Sequence, residues 1–148
     1  MSTAALAPLA SASGLAPEPR SITVVATSVD ATLSALREAG ILAHRLHGSI
    51  RLIVTQIVPY PLPLSRPPVP GEFNARRFRV LADGNKVPTK IQICLGRDQL
   101  ETLHRVLPPH STIVVGGRKT WWPTREKRLA RQLQRSGHDV VFTSFEGG

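Results

Sequence analysis

Five short runs of apolar and β-branched residues recur along the chain. They cover Ile22–Thr27, Ile50–Val58, Thr89–Leu95, Thr112–Val115 and Asp139–Thr143. The runs are mostly apolar and do not alternate strictly with polar residues, which is typical of parallel strands buried on both faces. The pattern therefore predicts five parallel strands.

The segment after the first strand has the spacing of an amphipathic helix. Its small and apolar positions recur every three or four residues, as the buried side of a helix requires. These positions are Leu33, Leu36, Gly40, Ala43 and Leu46. Asp30 is suited to cap the amino terminus, and Gly48 is suited to end the helix.

Two further helices have clear start and stop signals. Asp98 is followed three residues later by Glu101, the spacing of a capping box, and Pro108 stops this helix. The last helix starts after Thr124 and is closed by Gly137. The expected buried positions of the two helices are Leu100, Leu103, Leu107, Leu129, Ala130 and Leu133. The expected exposed positions of the last helix are Arg128, Arg131 and Arg135.

Strands that alternate with helices predict one α/β domain over residues 21–146. Right-handed crossovers would place helices on both faces of a five-stranded parallel sheet. Ligands of such sheets bind beyond the carboxyl ends of the strands, where the winding reverses. The expected site is therefore formed by the loops after Thr27 and Gly116. Its residues are Ala26, Thr27, Ser28, Gly116, Gly117, Arg118, Lys119 and Arg125.

The segments outside these elements have a different composition. Residues 1–20 are rich in Ala, Pro and Ser and lack a basic start, so they predict a disordered tail and no secretory signal. Prolines between Pro59 and Gly71 predict a long loop, and Glu72–Leu81 predicts a short helix. No run of about 20 apolar residues indicates a membrane span. The single Cys94 lies in an apolar run, as expected of a small buried hydrophobic residue in a cytoplasmic protein.

The charge of the chain is strongly positive and unevenly placed. Nineteen Lys and Arg residues against ten Asp and Glu give a net charge of +9. Between Gly117 and Arg135 there are seven basic residues and one acidic residue, Glu126. Such a patch attracts phosphates, nucleic acid or an acidic protein partner, and the alternative for most of these residues is a solvated helix face.

The order of these elements resembles the universal stress protein family. The resemblance covers Ile22 to Phe142 and is carried by the first strand and helix, the strand after Gly48, the Leu95-Gly96 turn and the segment STIVVGGRK. It implies a Rossmann-like domain of the universal stress type that acts in signalling or stress responses. It also implies a homodimer in which the last strand pairs across the two-fold axis, and an ATP cleft.

The motifs that hold ATP in this family are only partly present. The family pattern has an aspartate at the end of strand one, and after strand four a Gly, two residues, a second Gly, nine residues and a Gly followed by Ser or Thr. Gly116 matches the first glycine, whereas the second falls on Lys119. The last pair falls near Leu129, and the aspartate position falls near Thr27. The leading expectation is therefore a non-catalytic module with altered or absent ATP binding.

Two other functions are compatible with the residues. The side chains of Arg118, Lys119 and Arg125 could hold the phosphates of an adenine nucleotide or cyclic dinucleotide in place of glycine amides. Alternatively, the patch from Arg118 to Arg135 could bind nucleic acid, with Trp121 or Trp122 stacked on a base. The competing expectation for the tryptophans is that one of them packs under the sheet edge.

No catalytic or metal-binding pattern is present. His44 and His47 are three residues apart but have no cysteine or carboxylate nearby to complete a ligand set. The sequence has no Gly-x-Ser-x-Gly elbow, Walker loop, HExxH or Cys-x-x-Cys motif. We therefore assign no catalytic residue, no metal ligand and no activity as an enzyme.

Overall fold

The computed structural model describes residues 21–58, 60, 76, 79–80, 83 and 87–146. The strands are β1 (Ser21–Val25), β2 (Ser49–Ile57), β3 (Thr89–Gly96), β4 (Thr112–Arg118) and β5 (Asp139–Phe145). The helices are α1 (Val29–Leu46), α2 (Gln99–Val106) and α3 (Arg125–Arg135). The predicted tail, the proline-rich loop and most of the predicted helix over 72–81 lie outside the described residues.

All five of these strands form one parallel sheet in the order β3-β2-β1-β4-β5. Strand β1 lies at its centre, where Val24 pairs with Leu52 of β2 and Val114 of β4. The winding reverses between β1 and β4, because β2 and β3 extend to one side and β4 and β5 to the other. The predicted five-stranded parallel α/β sheet is confirmed.

Helices cover both faces of the sheet, as predicted. Helix α1 packs on one face through alanines, which meet Val24, Leu52 and Val114. Helices α2 and α3 pack on the other face, where the fully buried side chains include Leu103 and Leu133. Because successive strand residues face opposite ways, each strand supplies side chains to both cores.

Local capping follows the expected chemistry with one shift in register. The Asp98 carboxylate accepts from the Glu101 N–H at 2.9 Å, and Thr124 Oγ1 accepts from the Lys127 N–H at 3.2 Å. In α1 the cap is Ser28 and not the predicted Asp30, which lies in the first turn. Ser28 Oγ accepts the Ala31 N–H at 3.2 Å, so the shorter side chain two residues earlier starts the helix.

The carboxyl end and buried side of α1 also differ from the prediction. His47 adopts the left-handed conformation with φ of 54°, and Gly48 follows it, with its N–H donating to the Ala43 carbonyl at 2.8 Å. Leu46, predicted to be buried, is 47% exposed. The buried positions are Ala31, Thr32, Ala35, Leu36, Ala39 and Ala43. Small residues line this side because the helix approaches the sheet closely.

Strand β4 is longer than predicted and contains both glycines that were expected to open a loop. Gly116 pairs with Thr143 of β5, and Gly117 pairs with Ser144. At Gly116 a Cβ atom would collide with the carbonyl oxygen of Ala31 in the first turn of α1. The absence of a side chain at Gly116 therefore lets α1 rest directly on β4.

None of the helices in the described ranges combines the length and apolar character that crossing a bilayer requires.

Candidate functional site

A cleft of about 390 Å³ opens at the carboxyl ends of β1 and β2. It lies between the amino-terminal turns of α2 and α3, at the reversal of the winding where parallel sheets bind ligands. Its lining residues are Ala26, Thr27, Ser28, Thr55, Ile57, Gln99, Arg125, Glu126 and Leu129. The predicted position of the site, after strand β1, matches this cleft.

The residues that follow β1 form the floor of the cleft. The Thr27 N–H donates to Thr32 Oγ1 at 2.9 Å, and Ser28 caps α1, so both residues have a set backbone position. Among the described side chains that are not exposed, only Thr27 Oγ1 is a buried polar atom without a hydrogen-bond partner. An orphaned hydroxyl on a cleft wall suits a ligand that offers a polar group, because burying a polar group unpaired costs free energy.

Three helices begin around this cleft. Ser28 caps α1, Gln99 is the first residue of α2, and Arg125 is the first residue of α3. The positive ends of their dipoles therefore favour an anionic group in the cleft. The side chains add one positive charge, from Arg125, and one negative charge, from Glu126.

The eight predicted site residues do not all meet in the cleft. Ala26, Thr27, Ser28 and Arg125 line it, as expected. Gly116 and Gly117 are buried inside β4. The predicted loop after β4 is thus not part of the cleft wall.

The other two predicted residues lie elsewhere on the surface. Arg118 lines a second, open groove between α1 and the end of β5, beside Ser144 and Phe145. The Lys119 ammonium lies 3.6 Å from the Glu146 carboxylate, and both side chains are well exposed. Strand β4 extends three residues further than predicted, to Arg118, and this extension moves Arg118 and Lys119 away from the cleft.

Sequence reasoning missed five residues that line the cleft. Thr55 and Ile57 belong to the end of β2, and Gln99 donates from Nε2 to Thr55 Oγ1 at 3.3 Å across the cleft. Glu126 and Leu129 come from the first turns of α3. The start signals of the two helices could have indicated Gln99 and Glu126, because the first turn of a helix that follows a parallel strand faces the ligand edge of the sheet.

Solved structures that match this architecture include two universal stress proteins. A universal stress protein solved in complex with cAMP superposes with a TM-score of 0.58 and 15% identity, covering 84% of this chain and 95% of that chain. A universal stress protein from Archaeoglobus fulgidus gives a TM-score of 0.56 and 10% identity, covering 83% and 97%. The fold is that of the universal stress proteins. No family model and no curated protein matches the sequence.

Backbone pairing extends strand β4 beyond Gly116, the residue that matches the first glycine of the family pattern. Beyond Gly116, the residues Gly117 and Arg118 continue the ladder with Ser144 and Phe145. The Lys119 N–H then donates to the Phe145 carbonyl at 2.7 Å. Backbone pairing with β5 therefore engages the Lys119 amide, at the position where the family pattern has its second glycine.

The two tryptophans after β4 are both on the surface of the domain. Trp121 is 81% exposed and Trp122 is 60% exposed, so the expectation that one packs under the sheet edge is wrong. Their rings stack on each other instead, with centroids 4.2 Å apart and an angle of 23° between the planes. The pair lies in the segment between β4 and α3.

The titratable residues of the described chain do not build a further reactive centre. No group of three or more His, Cys, Asp or Glu side chains in the described part could hold a metal ion. Burial raises the pKa of the Cys94 thiol, although the nearby Arg51 and Arg105 charges oppose this. Cys94 is thus a buried, protonated thiol, as expected of a small hydrophobic residue.

His138 is a buried histidine at the opposite end of the sheet from the cleft. Its Nδ1 accepts the Ser111 N–H at 3.1 Å, which requires the neutral ring. Burial lowers the pKa of His138, and the neighbouring His104 and His110 lower it further. His138 therefore stabilises the junction of β4 and β5 in its uncharged form.

Proposed function

We propose that this protein is a non-catalytic signalling module, of the kind that acts in stress responses, whose cleft binds a small adenine nucleotide with a single phosphate group. Support comes from the universal stress fold, and from the fold neighbour that was solved with cAMP. The cleft volume of about 390 Å³ is at the small end of the range for ligand pockets. A triphosphate would be bound weakly, so ATP binding is altered relative to the family pattern.

The observation that carries this proposal is the continuous pairing of β4 with β5. The Lys119 N–H is bonded to the Phe145 carbonyl, and Gly117 is paired with Ser144. A glycine loop holds a triphosphate by offering several backbone amides at once. Freeing these amides would break the last hydrogen bonds between β4 and β5. Two additional phosphates on the nucleotide would therefore add little binding free energy.

The cleft has groups that suit one phosphate. Arg125 contributes a guanidinium, which can hold two phosphate oxygens at the same time. Glu126 on the same wall limits the total negative charge that the cleft accepts. The Thr27 hydroxyl is available to bond a polar edge of the base or sugar, since it has no partner among the described residues.

A non-catalytic role is supported by the chemistry of the lining. The described residues of the cleft include three hydroxyl groups but no histidine or cysteine that could activate one of them. The one carboxylate of the lining belongs to Glu126. Binding therefore transmits a signal through the shape or assembly of the protein and does not convert the ligand.

We also propose that the module is a cytoplasmic homodimer assembled through β5. Strand β5 is an edge of the sheet, with Val140, Val141 and Phe142 only partly covered. An edge strand with apolar side chains favours pairing with a second copy. The buried thiol of Cys94 is consistent with a reducing compartment.

Isothermal titration calorimetry of the full chain with cAMP, AMP and Mg-ATP tests the nucleotide proposal. We expect binding of the two monophosphates, and at least tenfold weaker binding of ATP. Arg125→Gln should weaken binding of the monophosphates by about 1.5–3 kcal/mol, the value of a hydrogen bond to a charged group. Lys119→Gln is a matched control, because Lys119 pairs with Glu146 outside the cleft.

Three outcomes would contradict the proposal of nucleotide binding. ATP binding at least as tightly as the monophosphates would mean that the end of β4 opens to receive phosphates. Equal losses in Arg125→Gln and Lys119→Gln would mean that the binding is nonspecific attraction to a cationic protein. Absence of any heat with the folded protein would leave a non-nucleotide signalling module as the function.

A further inference from the structure

The outer side of α3 carries a ridge of arginines, formed by Arg128, Arg131 and Arg135. These residues have the spacing of one helical stripe and extend over about 10 Å of the helix axis. They lie opposite the buried residues Leu129 and Leu133, so they point directly away from the sheet. All three arginines are exposed.

No acidic side chain neutralises this arginine ridge within the described ranges. The ion pair found in that part of the chain joins Lys119 and Glu146, away from α3. Glu126, the one acidic residue of α3, is directed to the cleft side of the helix. The ridge therefore presents an uncompensated positive potential, in a chain with a net charge of +9.

The tryptophan pair stands at the amino-terminal end of the ridge. Lys127 holds the preceding loop in place, since its ammonium donates to the carbonyl oxygens of Thr120 and Trp122. Lys127 and Arg131 are four residues apart and share one side of α3. The stacked Trp121 and Trp122 rings are thus tied to the side of the helix that leads into the arginine ridge.

We propose that the Trp pair and the arginine ridge form a binding surface for single-stranded nucleic acid. Bases would extend the Trp121–Trp122 stack, and successive phosphates would contact Arg128 and Arg131. Aromatic faces beside a cationic track are the combination that binds single strands without reading a sequence. The surface lies on the outside of α3, so this proposal does not depend on a ligand in the cleft.

Other polyanions fit the surface less well. A membrane would require a substantial apolar area to insert, whereas each tryptophan ring covers one face of the other and no exposed large hydrophobic residue lies on the described part of α3. Duplex DNA keeps its bases stacked inside, so it could use the arginine ridge but not the exposed Trp121 face. An acidic peptide would use the charge but would have no flat ring to place against the tryptophans.

Fluorescence anisotropy with a labelled oligo(dT) of about 12 nucleotides tests the proposal on the full chain. Trp121→Ala should weaken binding by about five- to 150-fold, the loss seen for one stacking aromatic. Arg128→Gln/Arg131→Gln should weaken it and also reduce the salt dependence, by about 0.7 per lost phosphate contact in a log–log plot. Arg37→Gln/Arg45→Gln removes the same charge from exposed positions of α1 and serves as the matched control.

Several outcomes distinguish this surface from general cationic attraction. Stronger binding of oligo(dT) than of a duplex of equal length, with the duplex insensitive to Trp121→Ala, would support the proposal. Equal losses in the α3 and α1 double variants would overturn it. A Trp121→Ala variant that binds oligo(dT) normally would also overturn the proposal. The same holds if binding to phosphatidylserine vesicles depends on Trp121 while binding to oligo(dT) does not. Circular dichroism of each variant excludes unfolding as the cause.

Discussion

Gly116 offers a sharp test of how the universal stress fold is built in this chain. An alanine at this position would place its Cβ against the carbonyl oxygen of Ala31. That oxygen belongs to the backbone of α1 and cannot turn away as a flexible side chain could. The clash can only be relieved if the first turn of α1 lifts from β4.

The cost of Gly116→Ala follows from this geometry. Inserting a methyl group into a packed interior costs about 1–3 kcal/mol when neighbours can adjust, and a backbone neighbour places this case at the upper end. We therefore expect the free energy of unfolding to fall by about 3 kcal/mol. With an unfolding entropy of about 0.3 kcal/mol/K for 148 residues, the melting temperature should fall by about 10 °C.

Gly117→Ala is the matched comparison for this experiment. Its Cβ would lie 2.6 Å from Cζ of Phe142, the end of a partly exposed side chain that can move. We expect a loss of about 1 kcal/mol. Urea denaturation followed by circular dichroism measures both losses. If Gly116→Ala unfolds at the same urea concentration as the wild type, the close contact between α1 and β4 is wrong, and the glycine must serve another role.

Three further predictions concern other parts of the molecule. Thr27→Val removes an unpaired buried hydroxyl, so it should raise the free energy of unfolding by about 1 kcal/mol and should weaken nucleotide binding. A lower melting temperature of this variant would show that the hydroxyl has a partner. Because the pKa of His138 is lowered in the folded protein, the unfolded chain binds the proton at a higher pH than the folded chain does. The free energy of unfolding should therefore be constant above about pH 6.5 and should decrease below it. His138→Gln should flatten this pH dependence in urea titrations. Ser144→Pro removes a backbone N–H at an exposed position of edge strand β5, so the mass measured by light scattering should shift from dimer to monomer. Ser144→Ala keeps the N–H and should leave the dimer intact. A Ser144→Pro variant that remains dimeric would place the interface elsewhere.

Much of the fold could be predicted from local sequence patterns. The five strands are continuous apolar runs, and the starts of α2 and α3 are marked by Asp98 and Thr124, whose side chains cap the helices as expected. Capping and periodicity depend on residues that are three or four positions apart, so they can be found in a linear sequence. The arginines of α3 were correctly expected to face outward for the same reason.

The errors occurred where distant segments compete for the same atoms. The pair Gly116-Gly117 has the composition of a loop, yet β5 offers a partner for each residue and extends the strand through Arg118. In α1, leucine spacing predicted a buried Leu46, but the close approach of α1 to β4 selects the smaller Ala35 and Ala39. Both outcomes depend on contacts with residues far away in the sequence.

The candidate site was half predictable. Ala26, Thr27, Ser28 and Arg125 were located because the carboxyl ends of parallel strands and the first turns of the following helices meet at one edge of the sheet. Thr55 was missed, since no local signal distinguishes a polar strand residue that faces a cleft from one that faces water. Gln99 and Glu126 were missed although the start signals of α2 and α3 place them in first turns at the ligand edge of the sheet.

The sequence alone determined the succession of strands and helices, the caps of α2 and α3 and the concentration of positive charge, because these depend on neighbouring residues. Only the tertiary structure decided the order of the strands, the pairing of β4 with β5 through Arg118, and the exposure of both tryptophans. These features depend on which backbone groups and surfaces meet after the chain has folded. The same pairing that completes the sheet also bonds the Lys119 amide to the Phe145 carbonyl, and Arg125 is the cation among the lining residues of the cleft.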